Sequence, residues 1–274
     1  MKFSIPYDNT FDIRSTLECG QVFRYYENNG IFTVIAGKKR CQISQNDEGC
    51  IFCCEDEYFF KKYFDLNRNY AIIHSNVQDK GLVSSAIEYG KGIHILNQDH
   101  IEVIFSFIIS ANNHIPRIKA IIERLCDSLG EDMGDYFAFP TLEALSLQDE
   151  AFYKSIGAGY RADYIAQTAR MLQIVNFDEL NKLSTEQIRR ELMAFKGIGR
   201  KVADCILLFA FHRTDVFPVD TWILKVFRPE YGNIPADKLS KLLVEKYGEN
   251  SGYVQQWLFY QKRSAAKMLN TKGE

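Results

Sequence analysis

Residues 184–205 read STEQIRRELMAFKGIGRKVADC and residues 216–220 read VFPVD. Ser184 followed three positions later by Gln187 has the form of a capping box, so a helix opens there and runs to Phe195. Lys196-Gly197-Ile198-Gly199 ends that helix, because glycine is the usual residue just past a helix C-terminus. A second helix starts at once, at Arg200 or Lys201. Val202, Cys205, Ile206, Phe209 and Ala210 then recur at helical spacing and give it one apolar wall. The segment from about 185 to 211 is therefore two helices around a glycine hairpin. Pro218-Val219-Asp220 opens a further helix with Asp220 at or near its N-terminus, and Ser251 to Lys262 reads as a final helix.

Working outward, helical periods dominate from about Phe59 onward. Ile101 to Ala111 is apolar nearly all round and reads as a buried central helix. A break at Asn112-Asn113-His114 separates it from an amphipathic helix over about Pro116 to Leu129. The first third differs. Val22–Tyr26, Ile31–Ile35, Arg40–Ser44 and Cys50–Cys54 are short aromatic or β-branched runs punctuated by Asn28-Asn29-Gly30, Gly37 and Asn46-Asp47-Glu48-Gly49. Strands first and helices after predicts an α+β protein. An N-terminal antiparallel β domain is expected over 1–80 and a helical domain, carrying the hairpin, over 81–274.

The chain has 274 residues, 46% of them hydrophobic and 25% charged, with a net charge of −2. These values fit an ordinary folded domain and argue against disordered and fibrous classes. The overall charge argues against reading a nucleic-acid binder from bulk electrostatics; the distribution matters more, because the positive charge is local and sits late in the chain. Residues 182–213 hold seven Lys/Arg against three Asp/Glu, and 261–274 hold four against one, while 47–65 are acidic. The most apolar run, Val103 to Ala111, is about half of the ~20 residues that span a bilayer, and the first residues lack the apolar core of a signal peptide. The chain is expected to stay inside the cell, in the compartment where it is made and not in a membrane. Seven cysteines, an odd number, read as reduced thiols, and no metal site or required cofactor is expected.

The hairpin carries the chemistry. Gly197 and Gly199 let the backbone approach another surface, and their N–H groups precede a helix N-terminus, a ready site for a DNA phosphate. Glycine turns many αα-hairpins, so the glycines alone say little. Lys201, however, lies in the first turn, where the positive end of the helix dipole disfavours an ammonium and favours the amine that acts as nucleophile. Asp220 follows 19 residues later and can return beside the hairpin. A carboxylate facing a lysine suits glycosidic chemistry, in which positive charge develops on the sugar as the base leaves. Read singly, Lys201 is equally a solvated lysine beside Lys196 and Arg200, and Asp220 equally a plain helix cap.

FKGIGRKVADC over 195–205, followed by VFPVD, resembles the helix-hairpin-helix and Gly/Pro-Asp signature of the DNA glycosylase superfamily. Lys201 resembles the bifunctional members, and the Lys-Val-Ala-Asp-Cys run resembles the 8-oxoguanine DNA glycosylases. Further segments agree in order: Cys19-Gly-Gln-Val-Phe-Arg24, FSFIISANN over 105–113 with Arg117, Gly157-Ala-Gly-Tyr-Arg-Ala162 and Gln255-Gln-Trp-Leu-Phe259. The resemblance implies a glycosylase and abasic-site lyase acting on duplex DNA that contains 8-oxoguanine, with Lys201 and Asp220 catalytic. It implies that Gly20 offers its carbonyl to the N7–H of the oxidised base, Gln255 reads the Watson–Crick edge, and Phe259 and Cys205 flank the ring. A base inside a duplex must be flipped out first, and Asn112, Arg117, Tyr160 and Arg161 match the family's wedge and opposite-cytosine contacts.

The chain departs from the pattern at Trp222, where eukaryotic members usually have His, a position of phosphate contact, and at His114 and Pro116 before Arg117. Two rivals stand beside this reading: a glycosylase of the same superfamily with another damaged base, and a non-enzymatic hairpin module that only holds phosphate. Lys201 argues against the first in its alkyl-base form, and the lack of a four-cysteine cluster after Asp220 against its iron–sulfur form. Asp220 and the pocket residues are unexplained by the second.

Overall fold

The computed structural model describes residues 1–77 and 79–271, with side chains described up to residue 265. The basic stretch at 261–274 and the end of the expected second domain thus lie partly outside the described residues. The architecture is α+β, as the order of patterns predicts: a five-stranded antiparallel sheet, then helices.

Strands β1 (Lys2–Pro6), β2 (Tyr25–Asn28), β3 (Ile31–Ala36), β4 (Lys39–Asn46) and β5 (Gly49–Cys54) lie in the order β1-β5-β4-β3-β2. β2 to β5 form the expected meander. β1, which the sequence reading did not foresee, returns to pair with β5, placing Phe3 opposite Phe52 with ring centroids 4.6 Å apart. Val22 and Phe23 are not strand: β2 begins at Tyr25, and a short helix, Ile13–Glu18, capped by Asp12, precedes it. Cys50 and Cys53 have the C-x2-C spacing of many zinc sites, a pair the sequence reading did not weigh. On a strand a separation of three puts them on opposite faces, and Cys50 is buried while Cys53 is exposed. Among the described residues no three His, Cys, Asp or Glu side chains could hold a metal ion, and no helix is long and apolar enough to cross a membrane.

The sheet packs Phe32, Val34, Ile43 and Phe52 against Phe11, Leu17, Phe60 and Phe64. The larger core surrounds the helix His100–Ser110, whose Val103 to Ile109 are all buried. The two cores do not divide at one point in the sequence. Tyr70, Ile73 and Val77 belong to the helical core, whereas Leu96 lies under the sheet. A polar joint ties sheet to helices. Buried Arg24 donates to the Phe137 carbonyl (2.5 Å), and buried Glu102 accepts from the Gly37 N–H (3.0 Å). Burial pushes the Glu102 carboxyl up to about 7, against the pull of Arg24.

Candidate active site

The two hairpin helices are Thr185–Met193, with the Ser184/Gln187 capping box formed, and Arg200–Phe209. Their two glycines do different work. Gly197 has φ +85°, and a Cβ there would lie 2.4 Å from Cδ2 of Tyr164. The turn is therefore seated on the tyrosine ring, with no room for a side chain. Gly199 is the N-cap of the second helix, exposed, without a side-chain cap, and a Cβ there would meet nothing within 4 Å. The first N–H groups of that helix consequently open outward, as an anion site requires.

Lys201 is the second residue of this helix and half-buried, its Nζ 5.7 Å from the centroid of the Phe107 ring. One turn on along the same helix lies Cys205, its thiol buried. Burial pushes that thiol up; the Lys201 charge pulls it back, and the charges of Asp204 and Asp220 add to the rise. Lys201, Cys205 and Asp220 thus share one neighbourhood. Asp220 is also the N-cap of the helix Thr221–Tyr231 and accepts from the Ile223 N–H at 2.8 Å, so its carboxylate is oriented by a backbone bond. Behind Lys201, sequence reasoning missed a buried ion pair: Arg189 Nε lies 2.6 Å from Asp204 Oδ1 and fastens the two hairpin helices together. An aspartate within an otherwise apolar stretch of helix was its signal, since a buried carboxylate requires a partner.

The last helix, Ser251–Thr271, connects this centre to the first loop of the chain. At Gly252 it touches the nucleophile's helix so closely that a Cβ would lie 2.4 Å from Leu208 Cδ1. Seven residues later, about 10 Å along the axis, Phe259 meets Gly20. A Cβ at Gly20, which has φ +88°, would lie 3.1 Å from Phe259 Cε1. Gln255 lies between, 5% exposed, its Oε1 accepting from Gln256 Nε2 at 3.3 Å. Residues from opposite ends of the chain, Gly20 and Phe259, are therefore direct neighbours.

Asn112, Tyr160 and Arg161 of the expected wedge gather around the loop that follows Ser110. Asn112 is exposed with φ +50°, and the Tyr160 hydroxyl, itself exposed, donates to the Ala111 carbonyl (3.2 Å). Arg161 turns inward onto the same loop. It is 3% exposed, with Nε donating to the Ala111 carbonyl (2.7 Å), Nη2 to that of Asn112 (2.8 Å) and Nη1 to that of Ala158 (3.4 Å). In this arrangement it holds the loop that presents Asn112. Arg117 is exposed in the first turn of Ile115–Leu129, which His114 caps by accepting from the Arg117 N–H, and its Nη2 donates to the Gly157 carbonyl at 3.4 Å. Pro116 falls at the start of that helix and leaves it intact. Trp222 is 46% exposed on the helix that Asp220 caps, with Lys225 Nζ 5.3 Å from its ring centroid.

The local basic surplus is smaller than the count suggests. Arg189 is paired with Asp204 and Lys196 with Asp163 at 2.6 Å.

Residues 4–104 match the 8-oxoguanine DNA glycosylase N-terminal domain, and residues 105–248 match the helix-hairpin-helix Gly/Pro-Asp superfamily of base excision DNA repair proteins. An N-glycosylase/DNA lyase of Saccharomyces cerevisiae is 31% identical over 256 residues, covering 77% of this chain and 68% of that one. The chain belongs to the 8-oxoguanine DNA glycosylase family. An N-glycosylase/DNA lyase of Arabidopsis thaliana is 31% identical over 199 residues, but the match spans 65% of this chain and only 54% of the plant protein. In three dimensions the chain is similar to the 8-oxoguanine glycosylase/lyase of Clostridium acetobutylicum, solved with duplex DNA containing cytosine opposite 8-oxoguanine. The TM-score is 0.89 at 34% identity, over 94% of this chain and 93% of that one. Family membership accounts for an N-terminal sheet joined to a helix-hairpin-helix core.

Proposed function

We propose that this chain excises 8-oxoguanine from duplex DNA, preferentially opposite cytosine, and then cleaves the strand through a lyase step. The observation that carries this reading is the placement of Lys201, one turn before the buried Cys205, and of Asp220 at the N-termini of two helices, the first of them open. Backbone N–H groups at Gly199 hold a DNA phosphate, and the damaged nucleotide is flipped out of the stack. The base lies between Phe259 and Cys205, with Gly20 and Gln255 reading its edges. Asn112 fills the vacated space, Tyr160 wedges beside it, and Arg117 donates to the orphaned cytosine.

Lys201 Nζ, as the free amine, attacks C1′ while the N9–C1′ bond breaks and the base leaves with the electron pair. The ionised Asp220 stabilises positive charge on the sugar. Loss of the amine proton and opening of the ring give a C1′=N Schiff base. Removal of a C2′ proton then expels the 3′ phosphate, and water releases Lys201. The lysine supplies the nucleophile, so the reaction as drawn needs no cofactor, and the enzyme acts as a monomer wherever the DNA is held, in a prokaryote the nucleoid.

Borohydride reduction of the Schiff base tests the assignment. Wild-type protein is expected to form a covalent adduct with duplex containing 8-oxoguanine and not with undamaged duplex. Lys201→Gln is expected to form none; adduct from that variant, or equal adduct on undamaged DNA, refutes the mechanism.

A further inference from the structure

The Gly20 carbonyl needs accurate placement because of the chemistry of the two bases it would distinguish. At N7, oxidised guanine carries a hydrogen where guanine has a lone pair. An acceptor at about 2.7–3.2 Å attracts the first and repels the second, so the contrast fades as soon as the acceptor can retreat. On one side the loop is held from within. Buried Gln21 donates through Nε2 to the carbonyls of Thr16 (2.9 Å) and His94 (2.7 Å), and its Oε1 accepts from the Leu96 N–H (2.9 Å). On the other side the fastening comes from the last helix, 245 residues away in sequence. Arg263 Nη1 donates to the Glu18 carbonyl at 2.5 Å, and the same nitrogen would lie 3.6 Å from a Cβ at Gly20. Glu18 ends the helix Ile13–Glu18, and a cation is favoured at a helix C-terminus. Arg263 follows Phe259 by four positions, so both face the same loop from one side of their helix.

We propose that Arg263 is a positioning residue for base discrimination: by clamping the Glu18 carbonyl it fixes the Gly20 backbone on the Phe259 ring at the distance that favours the oxidised base. Neither the hairpin, Lys201 nor Asp220 depends on this clamp. The inference rests on the reading of the chain as an 8-oxoguanine glycosylase and adds to it a residue that touches no substrate.

The test compares two substrates of one protein. Excision from duplex containing 8-oxoguanine needs base reading, whereas cleavage of a preformed abasic site needs only DNA binding and Lys201. Arg263→Met keeps the side chain's apolar stem and removes the donor. Its rate constant for 8-oxoguanine excision is expected to fall on the order of 10- to 100-fold, the effect of losing one charged hydrogen bond. Cleavage of the abasic site is expected to remain at the wild-type rate. Arg263→Lys, which restores a cationic donor of different shape, is expected to recover part of the excision. Equal losses on both substrates would overturn the proposal in favour of a purely structural role, and so would unchanged excision by Arg263→Met. A wild-type protein that cleaves abasic sites but never releases 8-oxoguanine would refute the parent reading instead, which keeps the two failures apart.

Discussion

Gly197 and Gly199, two residues apart, are expected to fail in opposite ways when each becomes alanine. At Gly197 the new Cβ meets the Tyr164 ring at 2.4 Å, and φ of +85° adds a backbone penalty. A left-handed conformation costs an L-residue roughly 1–2 kcal/mol, and forcing a methyl into a packed contact costs roughly 1–3 kcal/mol. A destabilisation of about 3 kcal/mol, or a fall of about 5 °C in Tm for a chain of this length, is the expected result. At Gly199 there is open space and φ is −84°, so Gly199→Ala is expected to lose only about 0.5–1 kcal/mol as a poorer N-cap. Its methyl instead stands at the helix N-terminus proposed to hold a phosphate, and duplex affinity is expected to drop on the order of tenfold, from about one hydrogen bond's worth of contact. Thermal unfolding and fluorescence anisotropy with a labelled duplex read the two effects separately. The reasoning is refuted if Gly197→Ala is as stable as wild type, or if Gly199→Ala loses as much stability as Gly197→Ala while binding DNA normally.

Three further outcomes are expected. Asp220→Asn retains a good N-cap, so stability should change by less than about 0.5 kcal/mol while base release slows by at least about 100-fold, as for removal of a single electrostatic stabiliser; release at the wild-type rate in single-turnover assays would leave Asp220 a cap alone. Arg117→Ala should narrow the difference in excision rate between duplexes with cytosine and with adenine opposite the lesion by on the order of 10-fold, and an unaltered ratio would remove Arg117 from opposite-base reading. Glu102 has its carboxyl raised from 4.5 to about 7, so it keeps a proton in the folded state that it has lost in the unfolded one; its stabilising contribution is complete below pH 4.5 and disappears as pH rises through about 7. Glu102→Gln should flatten that slope and raise stability at pH 8 by up to about 3 kcal/mol, a change that urea unfolding at pH 5 and pH 8 measures.

The hairpin was legible because its signals are local. A capping box, two glycines and a renewed helical period act over a few residues, and the structure forms both helices within a residue or two of the expected limits. The helix at Asp220 was legible for the same reason. β1 was not: Lys2–Pro6 is an edge strand that ends in proline, and only its partner β5 makes it a strand. Arg161 shows a second limit. Its position in Gly157-Ala-Gly-Tyr-Arg161 was readable, but the direction of its guanidinium depended on the Ala111 and Asn112 carbonyls, 50 and 49 residues away. Local basic charge likewise overstated the surface available to DNA, because partners such as Asp163 lie on other helices.

By itself the sequence determined the α+β order, the glycine hairpin, and the placement of Lys201 and Asp220 at two helix N-termini, since capping, turning and periodicity are short-range properties of the chain. Tertiary structure alone decided that Tyr164 lies under Gly197, that Asp204 is held by Arg189, and that Gly20 rests against Phe259 and Arg263. Those contacts join residues whose separation in the chain carries no local signal. They exist because burial of two apolar cores brings the first loop and the last helix together, and only then do the polar groups between them acquire partners.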